Sequence, residues 1–109
     1  MCLAGAVDCL LSGKLNNVKI ALAQINPTVG DFAGNSRLIR EFSGRAADAG
    51  AELAVFPELA VCGYPPADLL ERRSFLERAG ETLQEIAAST AGSGLAIVCG
   101  CALPTERCV

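Results

Sequence analysis

The sequence of 109 residues contains no histidine, which removes the commonest general base and the commonest metal ligand from any chemistry it hosts. Lysine is nearly absent too. Only Lys14 and Lys19 occur, and the seven arginines are scattered, with Arg72-Arg73 the one adjacent basic pair. A net charge of −3 without a Lys/Arg cluster gives no electrostatic footprint for phosphates, so nucleic acid is not an expected partner. Arg72-Arg73 reads as the solvated start of a helix. No CxxC spacing links Cys2, Cys9, Cys62, Cys99, Cys101 and Cys108. Cys99-Gly-Cys101 with Cys108 is the one grouping a soft metal could use. It lacks the paired knuckles of zinc sites, and Cys99, ending an apolar run, reads better as a small core residue. No metal is expected.

Long apolar runs are also missing. Cys2–Leu11 is apolar apart from Asp8 and too short to span a bilayer. It has neither a basic n-region nor an A-x-A cleavage pattern. Residues 1–17 are therefore expected to form a poorly structured extension, consistent with an upstream start choice, and no membrane is expected as a partner. Nothing marks secretion clearly, so reduced thiols in a cytoplasm are the default. The glycine turns Gly30–Gly34 and Ala91–Gly94 match neither GxGxxG nor GxxxxGK, so no phosphate loop and no bound cofactor are expected within these residues.

What is present is a packing sequence, 51% hydrophobic and 19% charged, with none of the marks of disorder. "VKIALAQI" (Val18–Ile25) reads as a strand closed by Asn26-Pro27. The turn-rich "NPTVGDFAGN" follows, with Asn35 a candidate helix cap. Leu38, Ile39, Phe42, Ala46 and Ala49 then share one helical face, and Gly50 ends that helix. "AELAVFP" (Ala51–Pro57) reads as a strand buried on both faces. Phe75, Leu76, Ala79, Leu83, Ile86 and Ala87 repeat the helical spacing before Gly92 and Gly94. "LAIVCG" (Leu95–Gly100) is a third strand. The predicted order β-α-β-α-β is that of an α/β layer with parallel or mixed strands. In such layers polar ligand groups gather beyond the carboxyl ends of the strands, where Asn26–Asp31, Glu58 and Gly100-Cys101 fall.

Glu58 stands at the end of the second strand between Pro57 and Leu59. Taken by itself it is either a loop glutamate pointing to water or a partly desolvated carboxylate whose raised pKa suits general-base work. The surrounding words favour the second. "KIALAQINPTVGDFAGN" and "GAELAVFPELAVCGYPPADLL" resemble the start of the carbon–nitrogen hydrolase (nitrilase) superfamily. F-P-E at a strand end followed by G-Y is the more specific part. "NPTVGDFAGN" and "GYPPADLLER" are most similar to the N-terminal glutaminase domains of glutamine-dependent NAD+ synthetases. The resemblance runs over residues 18 to about 103. It implies that 18–109 form the N-terminal part of a carbon–nitrogen hydrolase domain, one portion of a nitrilase-type α-β-β-α sandwich.

The resemblance also implies a chemistry. A glutamate acts as general base, a cysteine attacks the amide carbon, and a lysine stabilises the tetrahedral intermediate before water releases the acid. A thiol attacks well only as thiolate and so needs a base beside it; the amide oxygen gains charge and needs a cation or N–H donors. Glutamine is the implied substrate, and its ammonia goes to a separate domain that uses ATP to amidate nicotinic acid adenine dinucleotide. Glu58 matches the base. Tyr64 matches a tyrosine lining the amide pocket, or else it is an aromatic lid over the loop. Cys62 lies only four residues past Glu58 and does not match the nucleophile, nor does any other cysteine. No lysine follows Lys19. The 109 residues alone are therefore expected to be inactive, as a piece of such a domain without the ATP-using one. Superfamily relatives form homo-oligomers, so the resemblance implies self-association. Three alternatives stay open: a non-catalytic α/β interaction module, a piece of another nitrilase-superfamily amidase, and a nucleotide- or flavin-binding unit that the strand order permits but the glycine loops do not support.

Overall fold

The computed structural model describes residues 3–11 and 14–104. Its elements run β1 (Leu3–Leu11), β2 (Lys14–Leu22), α1 (Phe32–Asp48), β3 (Leu53–Val55), a turn of 3-10 helix (Ala67–Glu71), α2 (Arg73–Thr90) and β4 (Ala96–Val98). They form one four-stranded sheet in the order β1-β2-β3-β4. β2, β3 and β4 are parallel, as expected of strands joined by helical crossovers. The layer is thus the α/β arrangement read from the sequence.

β1 departs from that reading. A poorly structured extension was expected over residues 1–17, yet Leu3–Leu11 pairs antiparallel with β2 from Leu3↔Leu22 to Leu11↔Lys14. The physical reason lies in the backbone: β2 would otherwise present a row of unpaired N–H and C=O groups on that edge, and a nine-residue ladder satisfies them.

Both helices lie on one face of the sheet. They pack on each other, with the Phe32 and Phe75 rings 5.1 Å apart and tilted. Alternation along the strands decides which side is covered. Ala21, Ala23, Ala54 and Phe56 are buried against the helices. The opposite face carries the row Leu22–Val55–Val98, in which Leu22 is 49% and Val98 54% exposed. The expected burial of the second strand on both faces is therefore only partial. Ala54 is buried, while Leu53 and Val55 are half-buried.

α1 is capped by Asp31, whose carboxylate accepts from Gly34 N–H at 3.0 Å. The sequence pointed to Asn35 as cap; it lies instead one turn inside the helix and 1% exposed. At the other end Lys19 Nζ donates to Ala49 O at 2.8 Å, serving the last carbonyls of the helix. Arg73 opens α2 on the surface, paired with Glu77, in line with a solvated helix start. Among the described residues, no helix is long and apolar enough to cross a membrane.

Candidate active site

Parallel pairing brings the carboxyl ends of β2, β3 and β4 to one edge. The ladder continues one step beyond the strands, through Ala23 N–H to Val55 O at 2.9 Å and Phe56 N–H to Val98 O at 2.8 Å. It then stops at Pro57, which has no N–H to donate. The chain folds into a tight turn in which Ala60 N–H bonds Pro57 O at 3.2 Å and Gly63 N–H bonds Leu59 O at 2.7 Å. Phe56, Ala60, Val61 and Cys62 are buried and anchor this turn. Leu59 sits at φ +55°, a left-handed conformation that costs a non-glycine residue on the order of 1 kcal/mol. The buried anchors hold that strained residue next to Glu58.

Glu58, Tyr64, Asn26, Pro27 and Pro57 line one open pocket of about 340 Å³. The structure thus brings together the two residues singled out in the sequence, Glu58 and Tyr64, and adds the Asn26-Pro27 wall from the loop after β2. Tyr64, 69% exposed, stands in the pocket wall. Glu58 is exposed, so the partial desolvation expected from its apolar neighbours does not occur among the described residues. Phe56 faces the core instead, and Glu58 shares the open pocket with Pro57, Tyr64 and the Asn26-Pro27 wall. Lys19 belongs to the opposite edge, where its carbonyl meets Glu52 N–H at the start of β3.

Two backbone approaches fix the turn. Gly100, just past β4, lies against it so closely that a Cβ there would overlap Leu59 N and come within 3.0 Å of Glu58 Cα. Gly63 has φ +84°, and a Cβ there would stand 2.5 Å from Val29 N. Only glycine fits both the conformation and the gap. Gly30 N–H also donates to Cys62 O at 3.0 Å. Asn35, missed in the sequence as anything but a cap, joins the same loops through Thr28 and Val61. A signal was available: Asn35, Ile39, Phe42 and Ala46 share one helical stripe, and a polar residue at an apolar position of that stripe needs partners.

Among the described residues no cysteine lines the pocket of Glu58. Cys62 is fully buried and its Sγ faces Gly63 O at 3.7 Å. Burial pushes the Cys99 thiol up. Cys101 is pushed from 9.0 to about 11, chiefly by burial and then by its neighbours Cys62 and Cys99. Burial of this kind leaves little thiolate at Cys99 and Cys101. Among the described residues no group of His, Cys, Asp or Glu is placed to hold a metal ion; Cys108 lies outside them.

Three parallel strands with helices on one face and a glutamate on a strained turn at the carboxyl edge make an α/β layer that the solved structures below share, a nitrilase-type fold. Residues 19–107 match the model of the carbon-nitrogen hydrolase family, and the chain belongs to that family. It is 43% identical over 86 residues to the glutamine-dependent NAD(+) synthetase of Thermotoga maritima, covering 79% of this chain and 15% of that protein. Among solved structures it resembles a glutamine-dependent NAD(+) synthetase from Cytophaga hutchinsonii, with TM-score 0.73 and 31% identity over 83% of this chain and 15% of the other. It also resembles an amidase from Nesterenkonia sp., with TM-score 0.70 and 29% identity over 83% of this chain and 33% of that one. The chain thus spans about 15% of the length of the curated relative it matches.

Proposed function

We propose that this chain carries the general-base part of a glutamine amidohydrolase site, releasing glutamate and ammonia for ATP-dependent formation of NAD+ from nicotinic acid adenine dinucleotide. The observation that carries the reading is the shared pocket of Glu58, Tyr64 and Asn26 at the carboxyl edge of the sheet. The names of the Thermotoga maritima and Cytophaga hutchinsonii relatives support glutamine as the amide. In this role Glu58 takes the proton of a cysteine thiol as sulfur bonds to the amide carbon. It returns that proton to the departing nitrogen when the C–N bond breaks. Water then attacks the thioester, giving its proton to Glu58; the C–S bond breaks, the acid leaves and Glu58 returns that proton to the cysteine sulfur. Tyr64 and the Asn26-Pro27 wall orient the amide. Among the described residues no cysteine or lysine lines the pocket, so in this reading the 109 residues alone release no ammonia from glutamine. ATP acts at a different domain, and the setting is a cytoplasm.

The test exchanges residues 18–104 for the matching segment of the Thermotoga maritima synthetase. The chimera should form NAD+ with glutamine. Glu58→Gln should abolish that while formation with added ammonia survives. A Glu58→Gln chimera that still hydrolyses glutamine at the parent rate sinks the assignment.

The open row Leu22–Val55–Val98 favours a second reading, in which the chain acts without catalysis as an α/β interaction module that pairs with itself. An apolar sheet face normally meets another layer. A monomer throughout the micromolar range in sedimentation equilibrium counts against it.

A further inference from the structure

Asn35, Ser36, Ser43 and Thr82 are the buried polar residues of the described chain. Ser43 and Thr82 turn their hydroxyls back on carbonyls of their own helices, Ile39 O and Arg78 O. Asn35 reaches outward instead. Its Nδ2 donates to Thr28 O at 2.8 Å and to Val61 O at 3.0 Å, and its Oδ1 accepts from Thr28 N–H at 2.8 Å. Thr28 follows the Asn26-Pro27 wall of the pocket. Val61 belongs to the turn that carries Glu58 and leads to Tyr64. One carboxamide, fixed in a helix, therefore ties both walls.

We propose that Asn35 is the positioning residue of this pocket, a strut that sets the gap between the Asn26-Pro27 wall and the Glu58–Tyr64 wall. The inference rests on the amidohydrolase reading above. Aspartate is nearly isosteric with asparagine but lacks the two amide protons. Asn35→Asp would set an oxygen against Thr28 O and Val61 O with at most one proton between them. The Gly30–Cys62 bond and the close fit of Gly63 on Val29 still join the loops, so the walls loosen while the helices remain.

The sequence has one tyrosine and no tryptophan, so tyrosine emission reports Tyr64 alone. In the full 109-residue chain, Asn35→Asp should lower Tyr64 fluorescence anisotropy with far-UV circular dichroism unchanged. Titrated with glutamine, it should show at least a tenfold weaker response of the Tyr64 ring signals than the parent. A role confined to helix packing would lower the melting temperature and leave Tyr64 unmoved. Unchanged anisotropy, or equal glutamine affinity in the two proteins, overturns the inference and leaves the amidohydrolase reading standing. If the parent chain binds no glutamine, the anisotropy alone decides what Asn35 does, and the amidohydrolase reading is judged by the synthetase chimera. Should Asn35→Asp not fold, side-chain amide exchange in the parent decides. Asn35 protons should exchange far more slowly than those of exposed Asn26, and exchange at the Asn26 rate overturns the strut.

Discussion

A single methyl group at position 100 should move the turn that carries Glu58. Gly100 adopts no special backbone conformation, so its constraint is purely one of space. The Cβ of Gly100→Ala would overlap Leu59 N and lie 3.0 Å from Glu58 Cα and 3.1 Å from Glu58 C. All three neighbours are backbone atoms and none can rotate away. Carbon atoms rest about 3.5–4.0 Å apart, so the turn and the strand end must separate by about 0.5–1 Å. Overpacking of this kind costs about 1–3 kcal/mol. The Val61 N–H to Gly100 O bond, already 3.4 Å long, is lost as well, adding at most about 1 kcal/mol. A total of about 1–4 kcal/mol lowers the melting temperature by about 5–30 °C in a domain of this size. Urea unfolding followed by far-UV circular dichroism reads the change. In the synthetase chimera, displacing Glu58 by as much as 1 Å should reduce glutamine turnover about a hundredfold. If Gly100→Ala unfolds within about 0.5 kcal/mol of the parent, the close approach of β4 to Glu58 is not what holds the turn.

Gly44 lies exposed in the interior of α1 with nothing within 4 Å of a Cβ built on it. Gly44→Ala should stabilise the chain by about 1 kcal/mol and raise its melting temperature; an unchanged or lower midpoint refutes the helix assignment there. The raised thiols give an alkaline limit. The folded chain holds the Cys101 proton to about pH 11, against 9.0 for the ordinary thiol. Stability from this group is therefore fully present below about pH 9 and lost as pH rises toward 11. Urea midpoints measured across that range should fall more steeply in the parent than in Cys101→Ala, and parallel curves would contradict the burial of the thiol.

Much of this was legible in the residues. The period of Leu38, Ile39, Phe42 and Ala46 marks α1, and that of Phe75, Ala79, Leu83 and Ile86 marks α2, because a one-sided helix repeats its buried positions in sequence. The third strand, expected over Leu95–Gly100, keeps its ladder only over Ala96–Val98. Among the described residues it has a partner on one edge alone, and Val98 on its face away from the helices is exposed. The second, expected over Ala51–Pro57, keeps Leu53–Val55, since Pro57 withdraws a donor and Phe56 makes the last bond. Asp31 caps α1 where Asn35 was expected to. Either side chain can cap a helix, and choosing between them depends on Thr28 and Val61, which are distant in the chain from one another. The strand at Leu3–Leu11 escaped notice because pairing is a property of two segments and not of one.

The sequence by itself determined the alternation of strands and helices, the rigid turn at Pro57, and the family to which Glu58 and Tyr64 point. These follow from short-range facts: side-chain period, proline's missing donor, and local words. Only the tertiary structure decided that both helices cover one face of the sheet, that Glu58 stands open to solvent, and that Asn35 and Gly100 hold its turn from other elements. Burial and close approach depend on which atoms arrive from elsewhere in the chain, and no local pattern records their arrival.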